Sequence, residues 1–115
     1  MNTKKIGDKG EDLAVNILES KGYEILERNY RYKRSEIDII ALHHNLLIFI
    51  EVKSLHSFQH GFPEGRVNQS KINKVLEAAD HYIHAINWQK DIRFDILSIN
   101  LKKPLEFLHI EDAFY

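Results

Sequence analysis

The sequence predicts one α/β domain spanning residues 1–115, with a central mixed sheet flanked by helices in the order α-β-β-β-α-β-β. Three observations carry this prediction. Two segments place apolar residues at helical spacing, three strand-like runs lie between them, and two shorter runs follow the second helix. At 115 residues and 43% hydrophobic content, the chain can bury one core but not two. It has no repeat, linker or low-complexity segment.

Between Lys9 and Gly22, the residues Leu13, Ala14, Ile17 and Leu18 recur at helical spacing. Lys21-Gly22 supplies a basic last turn and a stop. YEILERNYRYKR then alternates well enough for a strand. SEIDIIAL reads as a second strand and LLIFIEVKS as a third, with HHN turning between them in a predicted hairpin. HSFQHGFPEGR carries Gly61, Pro63 and Gly65 without any period and reads as a loop. From Asn68 to about Trp88, the residues Ile72, Val75, Leu76, Ala79, Ile83 and Ile86 mark a long amphipathic helix. IRFDILSINL and LEFLHI close the chain as strands.

Composition excludes several classes. Lys and Arg number 16 against 17 Asp and Glu, a net charge of -1, so any nucleic-acid contact must be local and not that of a polycation. The absence of cysteine removes disulfides, zinc thiolates and a thiol nucleophile. MNTKKIGDKGED has no apolar signal core, and LLIFI is too short to span a bilayer. A soluble cytoplasmic protein with no membrane partner is expected.

The charges in IFIEVKS need an explanation. On a strand, Glu51 and Lys53 share a face with Leu47 and Phe49, while Val52 points away. One strand earlier, the same rule puts Glu36 and Asp38 on one face and Ile37 and Ile39 on the other. If these strands pair, Asp38 sits beside Glu51. Two converging carboxylates repel unless a cation joins them, and magnesium or manganese suits oxygen ligands. A lysine beside such a site can hold or deprotonate an attacking water and stabilise a phosphate oxyanion, which is the chemistry of phosphodiester hydrolysis. On the first helix, Glu11 flanks the apolar face while Asp8 and Asp12 rotate toward solvent. On the second, Lys71 precedes Val75 and Ala78 by one and two turns at the border of the packed face. The plain alternative for an E-x-K pair is a cross-strand ion pair on a solvated face.

KGEDLAVNILESKGYEILERNYR, SEIDIIA, LIFIEVKS, a lysine in the following helix and RFDIL together resemble the YraN-type family of uncharacterised small proteins. That family looks like a branch of the restriction-endonuclease-like PD-(D/E)XK superfamily, similar to archaeal Holliday junction resolvases. The resemblance covers nearly the whole chain and implies an αβββαβ nuclease core. It implies that Asp38 is the motif's first aspartate, Glu51 its second acid and Lys53 its lysine, with Glu11 the acid of the first helix. Asp38, Glu51 and the Val52 carbonyl would bind the metal, and Lys53 would position or activate water. The chain departs from the family pattern at Ser35, where glycine is usual, and at Leu55-His56, where a basic residue usually follows.

A DNA surface is expected at RNYRYKR, where Arg28, Arg31, Lys33 and Arg34 interleave with Tyr30 and Tyr32, cations for phosphates and rings for bases. Lys71 is a further candidate contact and Lys102-Lys103 a weaker patch. The competing reading is an edge strand that uses its cations against edge pairing and buries its tyrosines. Branched or single-stranded DNA would suit a small protein with local positive charge. The histidines show no zinc-site spacing and read as solvated or core residues. A homodimer is expected, with the apolar DAFY tail as its contact. The reading carried forward is a metal-dependent DNA endonuclease. Its alternative is a non-catalytic nucleic-acid-binding or partner-binding module that retains the fold.

Overall fold

Helix α1 (Thr3–Ser20) stops at Gly22, whose φ of 90° suits glycine, and the Tyr23 amide donates back to the Leu18 carbonyl at 3.0 Å. The same device closes helix α2 (Gln69–Ala85). There Asn87 takes a φ of 54° and the Trp88 amide donates to the Ile83 carbonyl at 2.9 Å. The computed structural model describes residues 3–55, 69–101 and 106–114. The predicted loop HSFQHGFPEGR and the Lys102-Lys103 patch lie outside them.

Five strands form the sheet: β1 (Glu24–Tyr32), β2 (Ser35–His43), β3 (Leu46–Leu55), β4 (Ile92–Asn100) and β5 (Glu106–Ile110). They lie side by side in chain order, antiparallel except for the parallel β3–β4 pair that α2 connects. This is the predicted α/β architecture, with the order of the αβββαβ core and β5 added at an edge. The predicted hairpin between β2 and β3 is present, and its turn is shorter than the predicted HHN: His43 ends β2 and pairs with Leu46, leaving His44 and Asn45, both at positive φ, as a two-residue turn. Helix α1 begins six residues earlier than the Lys9 start predicted from apolar spacing and runs through Gly10. That residue is buried against β3, where any Cβ would stand 1.7 Å from Ser54 Oγ.

Each face of the sheet carries its own core. On the α1 side Ala14 and Leu18 pack with Ile39, Ala41, Ile48, Ile50, Leu97 and Ile99. On the α2 side Val75, Ala78, Ala79 and Tyr82 pack with Ile37, Ile40, Leu47, Phe49 and Phe94. Each fully buried aliphatic side chain contributes about 1.5–3 kcal/mol, and β2, β3 and β4 each supply buried apolar side chains to both cores.

Regular alternation predicted Ile37 and Ile39 on one face, and the structure corrects this. Ile37 packs on the α2 side and Ile39 on the α1 side, so the alternation breaks at Asp38. Opposite it, between the pairs Arg28–Ile39 and Tyr30–Ile37, Asn29 adopts a φ of 54°. A residue tolerant of left-handed backbone makes the matching irregularity in β1.

The C-terminal tail also differs from expectation. Ala113 donates its amide to the Phe94 carbonyl at 2.7 Å, and the Phe114 ring lies 5.4 Å from that of Phe94. The tail therefore folds back on its own β4. Among the described residues, the large exposed apolar side chains are Ile86, Phe107 and Leu108. No described helix is long and apolar enough to cross a membrane.

Candidate active site

Strands β2 and β3 pair from His43–Leu46 to Ile39–Ile50, and the ladder stops there. Beyond that point the Asp38 carboxylate stands in for a strand partner, accepting the Val52 amide at Oδ2 over 2.8 Å. Glu51, adjacent to Val52, shares the α2-side face with Leu47 and Phe49. The predicted convergence of Asp38 and Glu51 is therefore present, at the point where two central strands part.

Side chains from both helices complete the cluster. From α2, Lys71 Nζ lies 3.2 Å from Glu51 Oε2. On the α1 side, the Asn29 amide nitrogen donates to Glu11 Oε1 at 2.6 Å and to Glu36 Oε1 at 3.0 Å in the orientation its neighbours require. Lys53 follows Glu51 on the same face of β3 and pairs with Ser98 of β4. Glu11, Asp38, Glu51, Lys53 and Lys71, all named from sequence, thus border one region. Asn29 and its bridge were missed, because a left-handed asparagine inside an alternating run leaves no trace in its hydropathy.

The electrostatics of the cluster are those of crowded acids. Burial first, then the Asp38 charge, pushes Glu51 up to about 8, although Lys71 opposes the shift. Burial also raises Asp38, against the Val52 amide and Lys71. Glu11 is raised by burial and by Asp38. Burial works against the Lys71 ammonium, but Glu51, Asp38 and Glu36 outweigh it and Lys71 is raised. Each carboxylate holds its proton more tightly than in water, and each would release it to a cation.

A divalent ion suits this donor set. The Glu51 side chain is 6% exposed, yet its Oε1 has no hydrogen-bond partner. Among the described residues no three His, Asp or Glu side chains gather closely enough to form a cage unaided. Magnesium, which keeps several waters and takes one or two carboxylates, does not require one. The Val52 amide is committed to Asp38, so Val52 could offer an ion only its carbonyl.

The expected DNA surface is divided. Arg28 is tied to Asp12 at 2.8 Å on the α1 side and Arg31 to Glu36 at 3.4 Å. Tyr30 and Tyr32 turn to the α2 side, where Tyr30 bonds His81 Nδ1 at 2.7 Å and Tyr32 stacks on the His81 ring at 4.0 Å. Lys33 lies 5.3 Å above the Tyr32 ring, and Arg34 is exposed in the turn. Regular alternation would put Arg28 on the face of Tyr30 and Tyr32, and the left-handed backbone at Asn29 breaks it, so RNYRYKR is not a single interleaved face.

A second polar network was missed altogether. Asp95, fully buried on β4, accepts from Arg93 at 2.8 and 2.9 Å, from the Asp112 amide at 3.1 Å, and bonds His109 Nε2 at 2.7 Å. Arg93 also donates to Tyr23 at 2.8 Å. Both Asp95 oxygens are engaged, and the network ties the turn after α1 to β4 and the C-terminal turn. The R-x-D spacing within RFDIL was its one sequence trace.

A helix-flanked mixed sheet, with buried Glu51 beside half-buried Asp38 where two strands part, defines an α/β protein with a candidate acidic site. The chain belongs to uncharacterised protein family UPF0102, the YraN-type family, whose family model matches residues 10–99. It is 47% identical over 93 residues to a UPF0102 protein of Cytophaga hutchinsonii, covering 81% of this chain and 82% of that protein. With a UPF0102 protein of Clostridioides difficile it shares 44% identity over 115 residues, covering 99% of this chain and 100% of the relative. A solved structure of Pyrococcus furiosus SfsA in complex with Ca2+ overlaps 96% of this chain and 64% of its own, at 17% identity and a TM-score of 0.38. So loose an overlap carries no argument about chemistry.

Proposed function

We propose that the protein is a cytoplasmic, divalent-metal-dependent nuclease that hydrolyses phosphodiester bonds in DNA, with branched or single-stranded DNA as its substrate class. The observation that carries this reading is Glu51 Oε1, a buried carboxylate oxygen without a donor beside a second carboxylate. Leaving such an atom unpaired is costly, and a bound cation relieves the cost.

Asp38, Glu51 and the Val52 carbonyl would hold Mg2+ or Mn2+, which when bound supplies positive charge to a phosphoryl oxygen. Lys53 orients a water toward phosphorus. The water oxygen forms the new P–O bond as the ester P–O bond breaks, its proton passes to a nearby base, and the departing alkoxide takes a proton from solvent. Glu11 and Lys71 border the phosphate and set the charge around it. Lys33 and Arg34, in the turn before β2, together with Arg28 and Arg31 once released from their acids, contact the DNA backbone. A homodimer would present two such sites to a junction.

The test is cleavage of labelled duplex, single-stranded, flap and four-way-junction DNA with Mg2+ or Mn2+, comparing wild type with Lys53→Ala, alongside Mn2+ calorimetry on Glu51→Ala. Cleavage lost in the first variant and binding lost in the second, with both folded, support the proposal. A folded wild type that neither binds Mn2+ nor cuts any of these DNAs refutes it.

The Lys71–Glu51 ion pair favours a second reading, in which the acid is neutralised internally and the fold serves as a nucleic-acid-binding or partner-binding module. In that case Arg31→Ala with Arg34→Ala weakens binding and Glu51→Ala leaves it intact.

A further inference from the structure

Ser98 lies in the middle of β4 and is fully buried. In the parallel ladder it stands beside Lys53, and Glu51 pairs with Ile96 two residues earlier. Residues aligned in a parallel ladder present their side chains to the same face. Phe94, four residues before Ser98, packs in the α2-side core. The Ser98 hydroxyl therefore projects from the face that carries Glu51 and Lys53.

Among the described residues two buried side-chain polar atoms lack a hydrogen-bond partner, and they are Glu51 Oε1 and Ser98 Oγ. Both belong to this one face on adjacent strands, on either side of Lys53. Diagonal neighbours in a sheet are roughly 7–8 Å apart at the backbone, a gap that a glutamate side chain and one water span. A serine needed only for its size would be served equally by alanine, without the cost of an orphan hydroxyl.

We infer that Ser98 is a further residue of the site: its hydroxyl, with Lys53 and Glu51, holds the water that attacks phosphorus. The inference rests on the nuclease reading and adds to it a residue from β4. Ser98 contributes one hydrogen bond to the water, Lys53 a second and Glu51 a third, within the two to four partners that a buried water requires.

The test uses the full-length protein with Mn2+ and the best-cut DNA of the panel, comparing wild type with Ser98→Ala and Ser98→Cys. Both variants are expected to melt at or above the wild-type temperature without metal, to keep Mn2+ affinity and KM, and to lose kcat by about tenfold or more. A crystal structure of the Mn2+-loaded wild type is expected to show a water within hydrogen-bond reach of Ser98 Oγ and Lys53 Nζ, absent from Ser98→Ala. Wild-type kcat in both variants, an effect confined to KM, or no water at Ser98 overturns the inference while leaving the nuclease reading intact. A wild type that binds no Mn2+ and cuts no DNA removes the nuclease reading, and this inference with it.

Discussion

Replacing Glu51 by glutamine should make the metal-free protein more stable, and by more as the pH rises. Glu51 ordinarily titrates at 4.5 and is pushed to about 8 by burial and by Asp38. In that interval the folded chain keeps a proton that the unfolded chain has released, so stability falls with rising pH. The contribution is complete below 4.5 and lost as the pH passes through 8. Each pH unit in that window costs about 1.4 kcal/mol, about 3–5 kcal/mol in all when Asp38 and Lys71 share the adjustment. Glutamine has the same shape and no titration. Urea unfolding in chelator should find the two proteins within about 1 kcal/mol at pH 5, with Glu51→Gln ahead by about 3–5 kcal/mol at pH 9. At an m-value of about 1.5 kcal/mol/M, that gap is roughly 2–3 M in midpoint. Parallel pH profiles for the two proteins would refute the account of a buried, strained carboxylate.

Three other outcomes follow from the same geometry. Mn2+ affinity should rise with pH up to about 8 and then level, because the ion must displace the Glu51 proton; calorimetry in buffers of different ionisation enthalpy reads the released proton directly. Gly10→Ala sets a Cβ 2.7 Å from Ser54 Cβ and should cost about 1–3 kcal/mol in denaturant unfolding. Adding Ser54→Gly should recover most of that loss, and a strictly additive double-mutant cycle would contradict the contact. Asp95→Asn takes from Arg93, whose side chain is 18% exposed, its nearer countercharge and leaves it only Glu111 at 3.7 Å, and should cost about 3–5 kcal/mol. Burial tends to raise Asp95, but His109, Arg93 and the Asp112 amide hold it below its ordinary value. Its stabilising effect is therefore present above the ordinary carboxylate range and lost as pH falls, opposite in sign to that of Glu51, and acid titration of wild type against Asp95→Asn reads it.

The element order was legible because hydrophobic period, turn residues and lengths all agreed. The convergence of Asp38 and Glu51 was legible because neighbouring antiparallel strands need only parity to be aligned. Parity then failed where the ladder stops, at Asp38 itself, since a break in alternation depends on a backbone angle at Asn29 that composition does not encode. The division of RNYRYKR was hidden for a related reason: only helix packing decides that His81 takes the tyrosines while Asp12 takes Arg28. Asp95 and Ser98 passed unnoticed inside an apolar strand, where one polar residue draws no attention until its neighbours on other strands are known.

The Asp38 carboxylate takes the amide that no strand reaches, whereas Glu51 is held at a cost to the fold. The two acids would therefore be retained for different reasons through evolutionary time. A lineage that abandoned the chemistry would still be selected to keep Asp38, which closes the sheet, and would gain stability by exchanging Glu51 for a neutral residue. Under the proposed nuclease reading, Glu51 is the diagnostic position for descendants that keep the chemistry, and Asp38 alone is a mark of ancestry.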